Sequence, residues 1–223
     1  MTEEPDGLGR RERRKLEARS RLLAATRQMI AEQGAADLKI ADIAKAADVG
    51  FGTFYNHFES KDAILSTVLA QVMADAGAAV GSFALEFADP AETASFSYRR
   101  FVLFAGEEPE LAAVLTKLPG AEELFEASLL AYARETLERG RDSGRFQIDD
   151  LELALASVIA ASFAAIKGVL SGRFGQDADT VGAEMMLRAF GLDQAEAREI
   201  SRRPLPVLDL ARPSFGGAEG EVS

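Results

Sequence analysis

The chain has no cysteine and a single histidine among its 223 residues. Without cysteine there is no disulfide framework, no thiolate metal site and no cysteine nucleophile. A lone histidine, His57, excludes multi-histidine metal centres and leaves none to spare for a catalytic triad. Long apolar runs are scarce as well: the longest uncharged stretch, Leu153 to Ile166, is shorter than the roughly 18 residues expected of a spanning helix. The N-terminus, MTEEPDGLGRRERRK, is polar and charged and carries no secretory signal, so a cytoplasmic protein is expected. Strand-like alternation is missing, whereas helical periodicity broken by proline and glycine runs through the chain, so the fold class is all-α. Neither a metal nor any other cofactor is expected. The paired carboxylates Asp149/Asp150 and Glu122/Glu123 suit helix starts, where the dipole favours anions, at least as well as acid–base chemistry, so the chain does not read as an enzyme.

The chain is short of positive charge, with a formal net charge of −11, but the shortage is uneven. Residues 1–62 hold 11 basic and 11 acidic side chains, so the whole acidic excess lies downstream. Between Arg10 and Arg27 eight basic residues face only Glu12 and Glu17. One end is locally basic and the rest is an acidic body that repels a polyanion and helps to orient the basic end toward it.

Asp37 to Lys61 organises the whole. In IADIAKAADV, Ile40, Ile43, Ala44 and Ala47 fall at i, i+3, i+4 and i+7, one stripe of a helix. A turn follows at Asp48-Val49-Gly50, where Val49 plugs the corner and Gly50 is expected to take a backbone conformation closed to most residues. A second helix restarts near Phe51. Phe54 and Phe58, four apart, point to the core, leaving Phe51, Gly52, Thr53, Asn56 and His57 on the outer surface with Tyr55 at its margin. Small, hydroxyl and amide groups on an exposed helix face suit a DNA groove.

This stretch resembles the tetracycline-repressor (TetR) family of bacterial regulators, whose signature runs I-A-x-x-A-G-V-S-x-G-T-(L/F)-Y-x-H-F-x-S-K. Here it reads IAKAADVGFGTFYNHFESK. Gly50 stands in place of the serine that usually caps the recognition helix, and Lys39 in place of the threonine that caps the helix before it, so Asp37 is expected to cap instead. Ala41 stands where the family often has a basic residue. The resemblance implies phosphate contacts from Tyr55 and Lys61, while the exposed side of the short helix places Phe51, Thr53 and Asn56 nearest the bases. Lys39, Gly50, Gly52 and His57 complete the DNA-binding set.

The expected domains are a disordered basic leader at 1–13, a three-helix DNA-binding domain at 14–62, a helical ligand-binding and dimerisation domain at 63–203 and a loose tail at 204–223. The first helix, from about Lys15 to Gln33, is expected to bury Leu16, Leu23, Met29 and Ile30, with Leu22, Ala25 and Thr26 on the flanks, and to stop at Gly34. Ser60 reads as the cap of the fourth helix. Body helices are expected near 91–106, 109–117, 121–142, 150–171, 178–190 and 194–203. The helix of 150–171 is apolar nearly all round and carries small residues at Ser157, Ala161, Ala164 and Gly168, which let two helices approach closely. It fits a subunit interface, or else the central core helix of a monomer. TetR-like proteins typically dimerise through their last two long helices, which would add Met185 and Met186. Phe101, Phe104, Phe125, Tyr132, Phe163 and Lys167 are the candidates for lining a pocket, and Arg99, Arg100, Lys117 and Arg134 could meet an acidic ligand group.

The resulting expectation is a ligand-responsive regulator, a repressor that binds a palindromic double-stranded operator as a homodimer and is released by a small apolar effector. The alternative is a helical small-molecule-binding or adaptor protein that reads no operator.

Overall fold

The computed structural model describes residues 9–84 and 87–206, and every regular element among them is a helix. The chain forms two compact units, divided between Leu69 and Ala70. The first holds α1 (Arg10–Gln33), α2 (Ile40–Ala46), α3 (Phe51–Tyr55) and the start of α4 (Lys61–Ala84). The division falls inside α4 rather than at the expected 62/63, because Ile64, Leu65, Val68 and Leu69 extend the buried face of the first unit by two turns.

α1 starts at Arg10, five residues earlier than the periodicity predicts, so residues 10–13 are helical rather than part of a disordered leader. Nothing between Gly9 and Gly34 breaks a helix, and Glu12 in the first turn favours its N-terminus. The expectations for residues 1–8 and for 207–223 fall outside the described residues. The buried stripe of α1 is Ala18, Leu22, Leu23, Thr26 and Ile30. Leu16 is half exposed, and Met29 sits at the margin. The stripe is centred on Leu22 and Thr26 because Thr26 can be buried at no cost, its hydroxyl donating to the Leu22 carbonyl at 2.8 Å. Ser60 caps α4 as expected, accepting from the Ala63 amide at 3.1 Å.

The second unit is built around α5 (Pro90–Glu107) and completed by α6 (Pro109–Lys117), α7 (Ala121–Asp142), α8 (Leu151–Leu170), α9 (Ala178–Ala189) and α10 (Gln194–Ser201). Pro90 and Pro109 take the first helical turn, where a missing N–H costs nothing. Asp89, Asp150 and Asp193 cap α5, α8 and α10 through their carboxylates, which puts Asp150 at a helix start. α5 touches every later helix of the unit and is buried on nearly all sides, Arg99 and Arg100 included. Neither arginine is free for a ligand. Arg100 forms a two-pronged pair with Glu107 at 3.1 and 2.9 Å, and Arg99 donates to Asp179 at 3.0 Å and to the Arg203 carbonyl at 2.6 Å. Arg134 is likewise committed to Glu152, at 2.6 and 2.9 Å.

By length and composition alone, Lys61–Ser82 and Leu151–Leu170 are each apolar enough to cross a membrane, contrary to the estimate from the shorter run. The difference is the charges that the longer stretches take in: Asp62 and Asp75 beside Lys61 in the first, Glu152 and Lys167 in the second. In α8 the inward side buries Leu155, Ile159, Phe163 and Ile166, while Leu153, Ala156, Ser157, Ala160, Ala161 and Ala164 remain exposed.

The Arg99–Asp179 pair is the costliest contact in the unit to break, since both side chains are about nine-tenths buried. Asp179→Ala leaves a guanidinium in the core with one carbonyl for company, and the expected loss is about 3–5 kcal/mol. Urea unfolding followed by helix content reads it directly. A wild-type midpoint for the variant would show that Arg99 reaches solvent once unpaired.

Candidate nucleic-acid interface and ligand cavity

In the first unit Phe54 and Phe58 are 0% and 5% exposed and anchor α3 from below. Phe51 and Tyr55 are 55% and 50% exposed, with their rings 5.4 Å apart edge to face. Gly52 and Asn56 are exposed beside them, and Thr53 and His57 are half-buried. The helix itself is only five residues long; Asn56 and His57 lie in the turn that follows, held by amide bonds to the Thr53 and Phe54 carbonyls at 3.2 and 2.9 Å. Lys39 is exposed at the start of α2. The Lys61 ammonium donates to the carbonyls of Ala35 and Ala36, at 3.4 and 3.3 Å, so two of its three protons hold the α1–α2 loop and one remains for a phosphate.

The turn differs from the reading of its sequence. Gly50 has φ −67, open to any residue, and the left-handed position is Asp48 at φ 51. The Asp48 amide bonds to the Lys45 carbonyl and the Val49 amide to that of Ala44, at 3.1 and 3.0 Å, the paired bonds that close a helix with its next residue in the left-handed region. Lys39, not Asp37, is the cap residue of α2, and its side chain makes no capping bond. Burial, then the charges of Lys15 and Arg19, hold the His57 imidazole below its usual range, which places these two α1 side chains close to the end of α3. Arg19 also lies over the Phe58 ring at 5.1 Å.

In the second unit a cavity of about 60 Å³ opens between α5, α7 and α8. Its walls are apolar (Ala94, Phe101, Leu129, Leu137, Val158, Ile159, Met186) apart from the hydroxyls of Ser97, Tyr98, Tyr132, Thr136 and Ser162. Thr136 and Ser162 spend their protons on the Tyr132 and Val158 carbonyls, at 3.0 and 2.8 Å. Burial, then the Asp179 carboxylate, push the Tyr98 hydroxyl above its ordinary range, so it is a neutral donor. Among the described residues no ionised side chain lines this space. The Tyr132 ring lies against Gly77 and Gly81 of α4, tightly at Gly77 and so closely at Gly81 that a side chain there would collide with it.

Residues 22–68 match the family model described as bacterial regulatory proteins, tetR family, and residues 89–203 match that of the tetracyclin repressor-like C-terminal domain. The chain belongs to the TetR family. Among solved structures, that of RolR in complex with resorcinol is 34% identical with a TM-score of 0.79, covering 87% of this chain and 98% of that one. The regulator EthR of Mycobacterium tuberculosis is 29% identical over 139 residues, 55% of this chain, so the chain spans 61% of the length of that curated relative. The repressor DhaR of Mycobacterium sp. is 40% identical over 57 residues, covering 26% of this chain and 29% of that protein.

Within this TetR-family chain the residues expected to meet a ligand divide. Phe101 and Tyr132 reach the cavity. Phe104, Phe125 and Phe163 are buried core, with Phe125 stacked 6.0 Å from Phe101 and 5.5 Å from Phe163. Lys167 is exposed, its ammonium 5.6 Å from the Phe163 ring. Tyr98, one of the aromatics read from the sequence as possible pocket lining, is at the cavity as well, whereas Ser97 and Ser162 escaped that reading. The interface candidates divide too. Ser157, Ala161, Ala164 and Met185 are exposed, Met186 turns inward to the cavity, and Gly168 is buried under the Phe174 ring, which leaves no room for a side chain.

The quoted family signature has glycine where this chain has Asp48. Asp48→Gly is expected to raise the stability of the first unit by about 0.5–1 kcal/mol, relieving a left-handed residue at the cost of an exposed ion pair with Arg21. A thermal melt measures it, and a lowered midpoint would mean that the Arg21 contact outweighs the backbone strain.

Proposed function

We propose that this chain is a ligand-responsive transcriptional repressor of the cytoplasm that binds a palindromic double-stranded operator as a homodimer and is released by a small neutral effector. The observation that carries this is the exposed outer surface of α3, held by buried Phe54 and Phe58, in a chain that keeps an apolar cavity in its second unit. Tyr55 and Lys61 are assigned to phosphates, and Phe51, Thr53 and Asn56 to the bases, with Lys39, Gly50, Gly52 and His57 around them. A helical protein that reads no operator has less in its favour, because it gives no reason for two aromatic rings left bare on α3 and an amide in the turn that follows it.

The effector class follows from the lining. A water needs about 10–15 Å³ of such space, so the cavity takes a molecule of about one ring. Apolar walls bury the ring, the hydroxyls of Ser97 and Tyr132 are the polar groups that would orient one or two substituents, and an ionised group would stay unpaired at heavy cost. The RolR structure, solved with the single-ring diol resorcinol, supports this class. α4 links effector to operator: it carries Gly77 and Gly81 against Tyr132 and begins three residues after Phe58. Two recognition helices on one DNA face sit roughly 34–36 Å apart or a multiple of it, so a small change in the course of α4 spoils the fit.

A mobility shift on DNA from beside its own gene, with resorcinol and other single-ring phenols added, tests the reading. A compound that loosens the operator must itself be loosened by operator to the same factor. Equal affinity of that compound for free and operator-bound protein would refute the coupling, and failure to distinguish the gene-proximal DNA from random duplex would refute the repressor.

The exposed apolar face of α8 and α9, with Leu153 and Met185 both 65% exposed and Val181 at 40%, is assigned to the dimer. Ala161 is exposed in the protomer, so Ala161→Glu leaves the fold intact while setting two carboxylates against each other across a two-fold axis. The expected product is a folded monomer in sedimentation. A folded dimer would place the interface elsewhere.

A further inference from the structure

We infer that the N-terminal third of α1 is a second DNA-binding surface, on which Arg11, Lys15 and Arg19 form a cationic row that grips the phosphate backbone beside the groove read by α3. The inference rests on the proposed DNA-binding function and adds to it a surface that the helix-turn-helix does not include.

The row comes from the phase of the helix. Arg11, Lys15 and Arg19 are four residues apart and so share one face, which continues as the buried Ala18, Leu22, Thr26 and Ile30. Where that face packs on protein it is apolar. Where it runs ahead of the packing it turns cationic: Arg11 and Lys15 are fully on the surface, and Arg19 is half-buried. A face that had merely run out of protein to cover needs no charge of one sign. Arg10 and Arg14 lie on one flank and Arg13 on the far side, against Glu12 and Glu17 alone. Among the described residues, none of Arg10, Arg11, Arg13, Arg14 and Lys15 is in an ion pair.

The position of the row is fixed by its neighbours. Lys15 and Arg19 act electrostatically on His57 at the end of α3, and Arg19 covers the Phe58 ring. A duplex lying along α3 therefore meets the row at its edge, and from Arg11 to Arg19 the row spans about 12 Å of helix. A cluster of cations without ion pairs in a chain of net charge −11 suits a strongly anionic partner, and a phosphate backbone supplies one at a spacing of one charge per about 1.7 Å of duplex axis. The row carries affinity and no base information.

The test is the salt dependence of binding by the double variant Arg11→Gln/Lys15→Gln, in the full chain, to two duplexes: the gene-proximal DNA and a random sequence of equal length. Glutamine keeps the helix propensity and removes the charge. The slope of log affinity against log salt is expected to become shallower by about two units per bound protomer, equally on both duplexes, with the ratio of the two affinities unchanged. Arg141→Gln, which removes an exposed arginine of the second unit, should leave the slope at its wild-type value. An unchanged slope for the double variant overturns the row, and so does a loss confined to the gene-proximal DNA, which would make these side chains base readers. Should the pair of substitutions lower stability, Arg11→Gln alone, about two turns ahead of Ala18, gives the same test at half the size. If wild-type protein fails to discriminate the two duplexes, the repressor reading falls while the slope on random DNA still judges the row.

Discussion

α5 is enclosed by all the later helices of the second unit, and the rest of that unit answers to its burial. A helix covered on every side has no solvent in which to place a cation, yet α5 carries Arg99 and Arg100 in its middle turns. Each is neutralised within the fold. Asp179 at the start of α9 and the Arg203 carbonyl beyond α10 converge on Arg99, and Glu107 returns from the end of α5 to Arg100. The ion pair thus fixes where α9 begins and where the chain runs after α10. It also places a carboxylate beside Tyr98, whose hydroxyl lies against Gly182 of α9 and is held above its ordinary range by burial and by that carboxylate.

How much of this was legible in the sequence varied with the physics involved. Helix limits in the second unit were readable to within a residue or two, because Pro90, Pro109, Gly120 and the capping aspartates act locally. The helix-turn-helix was readable from Phe54, Phe58 and the run through Lys61. What failed was long-range. Gly168 looks like part of a small-residue seam until Phe174 is seen folded over it, and Met185 and Met186 cannot be told apart by composition although one faces solvent and the other the cavity. Aromatic content marked Phe101 and Tyr132 but equally marked the core residues Phe104 and Phe125, since ring burial looks the same whether the neighbour is protein or ligand.

The turn before α3 shows a local signal misread. Glycine at 50 suggested a special backbone there, yet the left-handed residue is Asp48, two positions earlier. The reason lies in how α2 ends: the amides of residues 48 and 49 reach back to carbonyls within the helix, and only a left-handed residue at 48 lets both do so. Aspartate tolerates that conformation better than most residues with a side chain. The orientation of the short helix therefore depends on a strained aspartate, and Gly50 serves as a plain extended link.

Among the described residues the cavity wall holds no ionised group, which bears on the chemistry of any ligand it would accept. A pocket that offers hydroxyls and hydrocarbon, with no fixed charge to pair, accepts the undissociated form of a weak acid and rejects its anion. For a phenol, the quantity registered is the total concentration multiplied by the protonated fraction.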